Sequence, residues 1–389
     1  LYDDFDHNDG SLSAEEFRRR HNSMREGCPI AHSNRHGGFD VVTRYADVKK
    51  VLGSASVFSS ADGVFIPPTG LPPVAAMEFD DPEHTKWRKL MEPPLTVGAV
   101  RSFEPTIVEI ADFLIDAFAG QGSADLVRDL AEPLPSIVVG RVVGMSHEES
   151  LAGREVAASL YAALGTPSFE SQLAEFTAFV EHLLQSRRDD PREDFLTQVA
   201  DGEVDGVPID TDGAAGLLIA YLLGGHHSTG SGIACLLRDV LTDTSLRDAV
   251  ASDPKMLVRA VDESLRLNTP LQYFARTAVE QTSLEGGSIA RGSRVLVDLA
   301  AANRDSRLFD DPETFDVNRR RNPHVAFGSG IHVCLGQHLA RTEIRVAVAR
   351  ILERLPDLRL VGEAPEAVIA GKLLTTVTLP VAFTPRASE

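Results

Sequence analysis

Seven stretches of this chain carry apolar residues at three- and four-residue spacing: 102–119, 124–144, 147–164, 170–188, 211–243, 254–267 and 337–354. That period gives each a single apolar stripe, which is buried most readily against the stripe of another helix. Strand-like runs are short: FDVVTRY at 39–45, RVLVDLA at 294–300 and TVTLPVAF at 376–383. The expected fold class is mainly α with small β-sheets. One domain is expected over 1–389, helical in bulk, with a β-rich edge formed by about 39–60, 270–300 and 373–385. No repeat or low-complexity linker divides it.

Several functions are disfavoured at once. The chain has 389 residues, enough for a sizeable core without disulfides. A formal charge of −19 argues against general binding to nucleic acid or an anionic membrane. No apolar run reaches the roughly 20 residues of a membrane span, and the polar start LYDDFDHNDG does not read as a signal peptide. Cys28, Cys235 and Cys334 form no CxxC pair, which fits a reducing compartment and a cytoplasmic protein.

FDHNDGSLSAEE is similar to a calcium loop, but aligning it on Gly10 puts Phe5 and His7 where oxygen ligands are required. A short helix capped by Ser13, with Glu16 completing the box, is the better reading. Residues 60–78 are rich in Pro and Gly yet apolar, as in a lid or binding loop.

The strongest chemical signal lies in HVAFGSGIHVCLGQHLARTEIRVAVARIL, residues 324–352. A loop punctuated by Gly328, Gly330 and Gly336 delivers Cys334 to a helix expected to begin near Leu335. Unsatisfied N–H groups there would stabilise a thiolate, and the glycines admit a flat cofactor at close range. Two other readings stand on spacing alone: a buried structural thiol, or a zinc site with His332 and His338. In DESLRLNTPLQYFART, residues 262–277, Glu263 and Arg266 are three apart and can pair along a helix.

Together these segments make the chain resemble the cytochromes P450, haem-thiolate monooxygenases of the soluble bacterial type. The loop pattern F-G-x-G-x-H-x-C-x-G reads here as Phe327, Gly328, Gly330, His332, Cys334 and Gly336. The E-x-x-R pair is Glu263 and Arg266, completed by Arg319 of PETFDVNR. DDPEHTKWRK matches the early helix that carries propionate partners, here His84 and Arg88, with Arg276 and His332 as further ones. The resemblance covers roughly Phe39 to Phe383. It implies a triangular helical prism around one haem b, with Cys334 on the iron and Glu263, Arg266 and Arg319 as a structural network. A thiolate ligand favours O–O cleavage, and propionates need cationic or strongly donating partners.

The long distal helix of that family carries A/G-G-x-acid-Thr. In LLGGHHSTGSG this places His227 at the acid and Ser228 at the alcohol, or Thr229 if the register slips by one. Neither histidine has a metal partner four residues away. Three readings follow. His227 and Ser228 replace the usual proton relay; the relay is poor and the enzyme uses peroxide or an atypical oxidation; or His227 points away from haem.

Positions matching the family's substrate pocket are Val64, Phe65, Ile66, Leu71, Leu218, Tyr221, Leu222, Leu271, Phe274 and Leu373, a largely apolar set. A small or medium lipophilic substrate is implied, oxidised with O2 by C–H hydroxylation or oxidative dealkylation. Only 389 − 334 = 55 residues follow Cys334. Electrons are therefore expected from a separate ferredoxin and ferredoxin reductase, docking on a basic face drawn from Arg319, Arg320, Arg321, Arg341 and Arg345. A monomer is expected. A non-catalytic haem sensor and a zinc-stabilised helical protein are the alternatives from other classes.

Overall fold

The computed structural model describes residues 2, 4–355, 357–370 and 372–385. Its axis is the helix Thr211–Thr242, 32 residues and so about 48 Å long. Asp210 caps it, accepting the Gly213 N–H at 2.8 Å. Around it pack the helices Pro133–Val143, His147–Ala163, Phe169–Asp189, Pro254–Asn268 and Gln337–Arg354. Leu217, Ile233, Leu236, Leu237 and Val240 of the axis are buried in the large apolar core between them. This gives the helical periodicity its physical outlet.

The helix expected over 124–144 is broken. Ser123–Asp125 is a strand paired with Pro380–Ala382, Val127–Ala131 is a wide π-type turn, and the regular helix starts at Pro133. Pro133 and Pro135 lack the N–H groups needed to continue a ladder from upstream, so the first turn is where they fit. The helix stops at Gly144, whose φ of 101° and whose missing Cβ, which would sit 2.4 Å from Asp194 Cβ, both require glycine. The expected strand over 376–383 shortens to Pro380–Ala382, while Leu373–Thr375 pairs with Val368–Ala370.

At the edge of the helical body lies a five-stranded sheet in the order Ile30–Ser33, Phe39–Val42, Arg294–Asp298, Tyr273–Ala278 and Phe58–Ser59. Its one parallel pairing joins Phe39–Val42 to Arg294–Asp298. Strand alternation splits Tyr273–Ala278 between two environments. Tyr273 and Ala275 pack with Phe5, Phe17 and Phe39 from the N-terminal segment. Phe274, Arg276 and Ala278 face the side on which Leu52, Val297 and Val325 are buried. At the N-terminus, Ser13 and Glu16 form the expected capping box.

Candidate active site

Cys334 sits at the end of a tight loop rather than on a helical turn. The regular helix begins at Gln337, with Gly336 as its cap. The Cys334 N–H donates to Phe327 O at 2.9 Å, and the Gly328 N–H to Val325 O at 2.8 Å, folding the loop back on itself. Gly330 has φ of 75°, and a Cβ there would lie 2.3 Å from Leu52 O, so the loop presses on the end of helix Tyr45–Gly53 too closely for any side chain. The Cys334 side chain is exposed at the floor of this arrangement, unlike the buried Cys235. Its protein surroundings push the thiol up, opposed by the Gly336 N–H and the charges of Arg88 and Arg341.

The zinc reading finds no support. Among the described residues, the only group of three potential ligands whose atoms come within 4.8 Å of one another is Asp6, His7 and His36, and Cys334 is not in it. There His36 pairs with Asp6 at 2.9 Å and His7 Nε2 donates to Ile66 O at 2.7 Å.

Beneath the loop, Glu263 and Arg266 form a bidentate pair at 2.8 and 2.9 Å, both fully buried. Arg319 Nε reaches Glu263 at 3.2 Å, and the Asp316 N–H and Asn322 Nδ2 donate to the same carboxylate at 2.9 and 3.2 Å. Arg266 spends its remaining N–H groups on the carbonyls of Asn303, Pro312 and Thr314. Phe309, which the sequence motifs did not mark, lies 5.3 Å from the Arg266 guanidinium and 5.9 Å from that of Arg319. Every arm of the network ends on protein. It ties helix Pro254–Asn268 to the irregular stretch leading into the Cys334 loop.

The donor group on the other side is far less satisfied. His84 is buried with no hydrogen-bond partner at either nitrogen, and the nearest carboxylate oxygen, of Asp81, is 3.6 Å away. Its ring meets that of His332 edge-on at 4.5 Å. His332 Nδ1 donates to Ala76 O at 3.1 Å and Nε2 accepts from Ser60 Oγ at 3.2 Å. Burial and the neighbouring Arg276 and His84 hold His332 down to about 4. Arg276 is buried as well, and its guanidinium donates to Ala275 O at 2.8 Å. Arg88 donates to Val333 O at 2.8 Å, one residue before Cys334.

On the long helix, exposure separates the candidate alcohols. Leu218, Leu222, Gly225 and Thr229 fall on one stripe with spacing 4, 3 and 4; the first two and Thr229 are buried, and a Cβ on Gly225 would meet Val139. Thr229 is therefore a core residue, correcting its place among the catalytic candidates. Gly224 is exposed, while Ala220, His227 and Ser228 are half-buried on the neighbouring open face. Ser228 Oγ donates to Gly224 O at 3.2 Å, the expected bond to the carbonyl four residues back. His227 stacks on Tyr161 at 4.7 Å and 28°, a partner that had no sequence signal because it lies on helix His147–Ala163. His226 is buried beside it and held down to about 3 by that burial and by His227.

The expected pocket set divides in the same way. Phe65 stacks on Phe274 at 5.7 Å, and Leu271 bridges Leu373. Val64 is buried, its carbonyl accepting the Ala275 N–H at 2.7 Å, and Leu71 packs partly buried on the helical core. Ile66 belongs instead to the N-terminal cluster with Phe5, Phe39 and Tyr273. Leu218 and Leu222 are core for the stripe reason above. Tyr221 is also core, its ring tilted against Phe195 at 5.0 Å and its hydroxyl donating to Met91 O at 2.5 Å. Of the expected basic face, Arg319, Arg341 and Arg345 pair internally with Glu263, Asp262 and Glu104. Arg320 and Arg321 remain exposed.

A tight loop presenting an exposed thiol, with buried His84 left without a hydrogen-bond partner beside it, is an arrangement suited to a haem-thiolate protein. The Cytochrome P450 family profile matches residues 237–356. The chain is 31% identical to a steroid C26-monooxygenase of Mycolicibacterium smegmatis, over 95% of this chain and 93% of that one. It is 36% identical to nocardicin C N-oxygenase of Nocardia uniformis subsp. tsuyamanensis, covering 88% and 89%. Its fold is similar to the crystal structures of CYP108D1 from Novosphingobium aromaticivorans (TM-score 0.88, 28% identity, 96% and 95% covered) and of myxobacterial CYP267B1 with myristic acid (0.87, 27%, 97% and 98%). The chain belongs to the cytochrome P450 family. It is a haem b-binding monooxygenase that incorporates oxygen into its substrate. The residues present suit that group: an exposed thiol for the metal, and beside it buried His84, with no hydrogen-bond partner at either nitrogen, and the buried cation Arg276. No helix among the described residues is long and apolar enough to cross a membrane.

Proposed function

We propose that the chain, a single structural unit, hydroxylates or oxidatively dealkylates a lipophilic small molecule, with Cys334 as the residue that would hold the haem iron and electrons from a separate ferredoxin. The observation that carries this reading is buried His84, without a hydrogen-bond partner at either nitrogen, packed on His332 of the loop that exposes the Cys334 thiol. Bound haem b supplies the activation of O2 for insertion into a C–H bond. His84, Arg88, Arg276 and His332 would hold its propionates. His84 would gain most, because neither of its nitrogens has a hydrogen-bond partner. The family's relatives acting on a steroid and holding myristic acid support a lipophilic substrate.

Phe65, Leu271, Phe274 and Leu373 form the apolar wall that orients the substrate. Ser228 Oγ stands on the open face of the long helix and passes protons inward; Gly224 O fixes its rotamer. His227 replaces the usual acid, and Tyr161 holds its ring by stacking. Burial pushes the His227 pKa down, so the ring is neutral near pH 7 and can both accept and give a proton. Arg320 and Arg321 are the residues left to guide a ferredoxin, acting on association rate. The three unpaired cysteines fit a cytoplasmic setting.

The optical spectrum of the reduced protein with carbon monoxide tests the ligand. The thiolate signature is expected for the native chain and its loss for Cys334→Ser. A colourless polypeptide that takes up no haemin, or a signature unchanged by Cys334→Ser, would refute it.

A further inference from the structure

Lys372 lies where a mostly apolar wall would be expected to stay neutral. Its ammonium is 3.0 Å from the centroid of the Phe65 ring, and Phe65 stacks on Phe274. Phe274 shares its strand face with Arg276, and Lys372 adjoins Leu373, the partner of Leu271. The Gln272 N–H donates to Lys372 O at 3.0 Å, anchoring its backbone to the segment that leads into that strand. The side chain therefore belongs to the same aromatic wall as the proposed substrate contacts.

No carboxylate among the described residues forms an ion pair with it. Glu78, the one acid that acts on it electrostatically, spends its two oxygens on the N–H groups of Val64 and Val74 at 3.1 and 3.0 Å. Burial pushes the Lys372 ammonium down to about 8. An aromatic face offsets only part of the desolvation of such a cation. The remaining deficit is met most directly by an anion arriving with the substrate.

We propose that Lys372 anchors a carboxylate on the substrate, so that the enzyme selects lipophilic acids over neutral molecules of the same shape. This rests on the haem-thiolate reading above and adds the chemical class of its substrate. The anchor fixes one end of the molecule beside Phe65 and leaves the apolar remainder to lie toward Ser228. The carbon that is oxidised is then set by chain length from the carboxylate. Charge-assisted contacts of this kind are worth about 1.5–3 kcal/mol, roughly tenfold or more in affinity.

The test uses matched pairs of an acid and its methyl ester: tetradecanoate, deoxycholate and para-anisate. Each is titrated into the ferric holoenzyme, and affinity is read from the spin-state change of the haem band. At least one acid is expected to bind about tenfold more tightly than its ester. Lys372→Met should bring that acid down to the level of its ester and leave the ester unmoved, while Lys372→Arg keeps the preference. The proposal is overturned if no pair shows a preference, if the preference survives Lys372→Met, or if that change weakens acid and ester equally. Haem content of Lys372→Met should match the native enzyme; a drop would assign Lys372 to a propionate and overturn the proposal. The carbon monoxide spectrum reports thiolate ligation separately, so a failure of the haem reading is seen on its own.

Discussion

The two sides of the Cys334 loop handle polar groups in opposite ways. Below it, Glu263 receives six hydrogen bonds from Arg266, Arg319, Asp316 and Asn322, so both its oxygens and the Arg266 guanidinium are fully engaged. Above it, neither nitrogen of His84 has a hydrogen-bond partner and Arg276 has little beyond a neighbouring carbonyl. Charges buried together must be paired, whereas donors buried alone persist where something else completes them. One side is built to hold the loop in place; the other is built to receive.

Breaking the satisfied side should have the largest effect. Glu263→Ala leaves Arg266 buried without its counter-ion, which costs about 3–5 kcal/mol. Little haem-loaded protein is expected, read from the ratio of haem to protein absorbance and from thermal unfolding. A normal haem content would show that the backbone carbonyls alone can hold Arg266.

The receiving side should fail more selectively. Ser228→Ala is expected to keep haem but lower product formed per O2 consumed several-fold, and Ser228→Thr to retain coupling. His227→Phe, which preserves stacking on Tyr161, should uncouple as Ser228→Ala does. Unchanged coupling in both would return His227 to a packing role. Equal turnover of native and Ser228→Ala enzyme with peroxide would locate the defect in proton delivery.

A smaller effect follows from the buried neutral histidines. His7 and His226 are held near 4 and 3 by burial, against about 6.5 in the unfolded chain. Below pH 6.5 the unfolded chain takes up protons that the folded one refuses. Stability should fall as pH drops from about 6.5 toward 4, with a slope approaching roughly 1.4 kcal/mol per unit for each group. His226→Gln should flatten the slope measured by denaturant unfolding across that range.

The smallest effect concerns docking. Arg320→Glu with Arg321→Glu should slow ferredoxin reduction several-fold at low salt, and the rates should converge at high salt. Stopped-flow measurement at two ionic strengths decides it.

Much of this was legible in the sequence, and the reason differs by region. Cys334, Glu263, Arg266 and Arg319 were legible through the resemblance to the family's motifs; spacing alone left a structural thiol or a zinc site open at Cys334 and an ordinary surface pair at Glu263 and Arg266. The bond from Ser228 to Gly224 was legible for a different reason, being set by helical spacing alone. Tyr161 and Phe309 were invisible because each meets its partner across helices or loops distant in sequence. Ile66, Leu222 and Thr229 misled for another reason. An apolar or hydroxyl residue near a cavity can turn either way, and stripe geometry decides which.

His7 and Asn8 both donate to Ile66 O, at 2.7 and 3.1 Å, so the segment that carries them fastens the apolar loop that carries Phe65. Trimming those residues, or crowding them with an affinity tag, would free that loop and alter how quickly molecules enter, with every group at the reaction centre left intact.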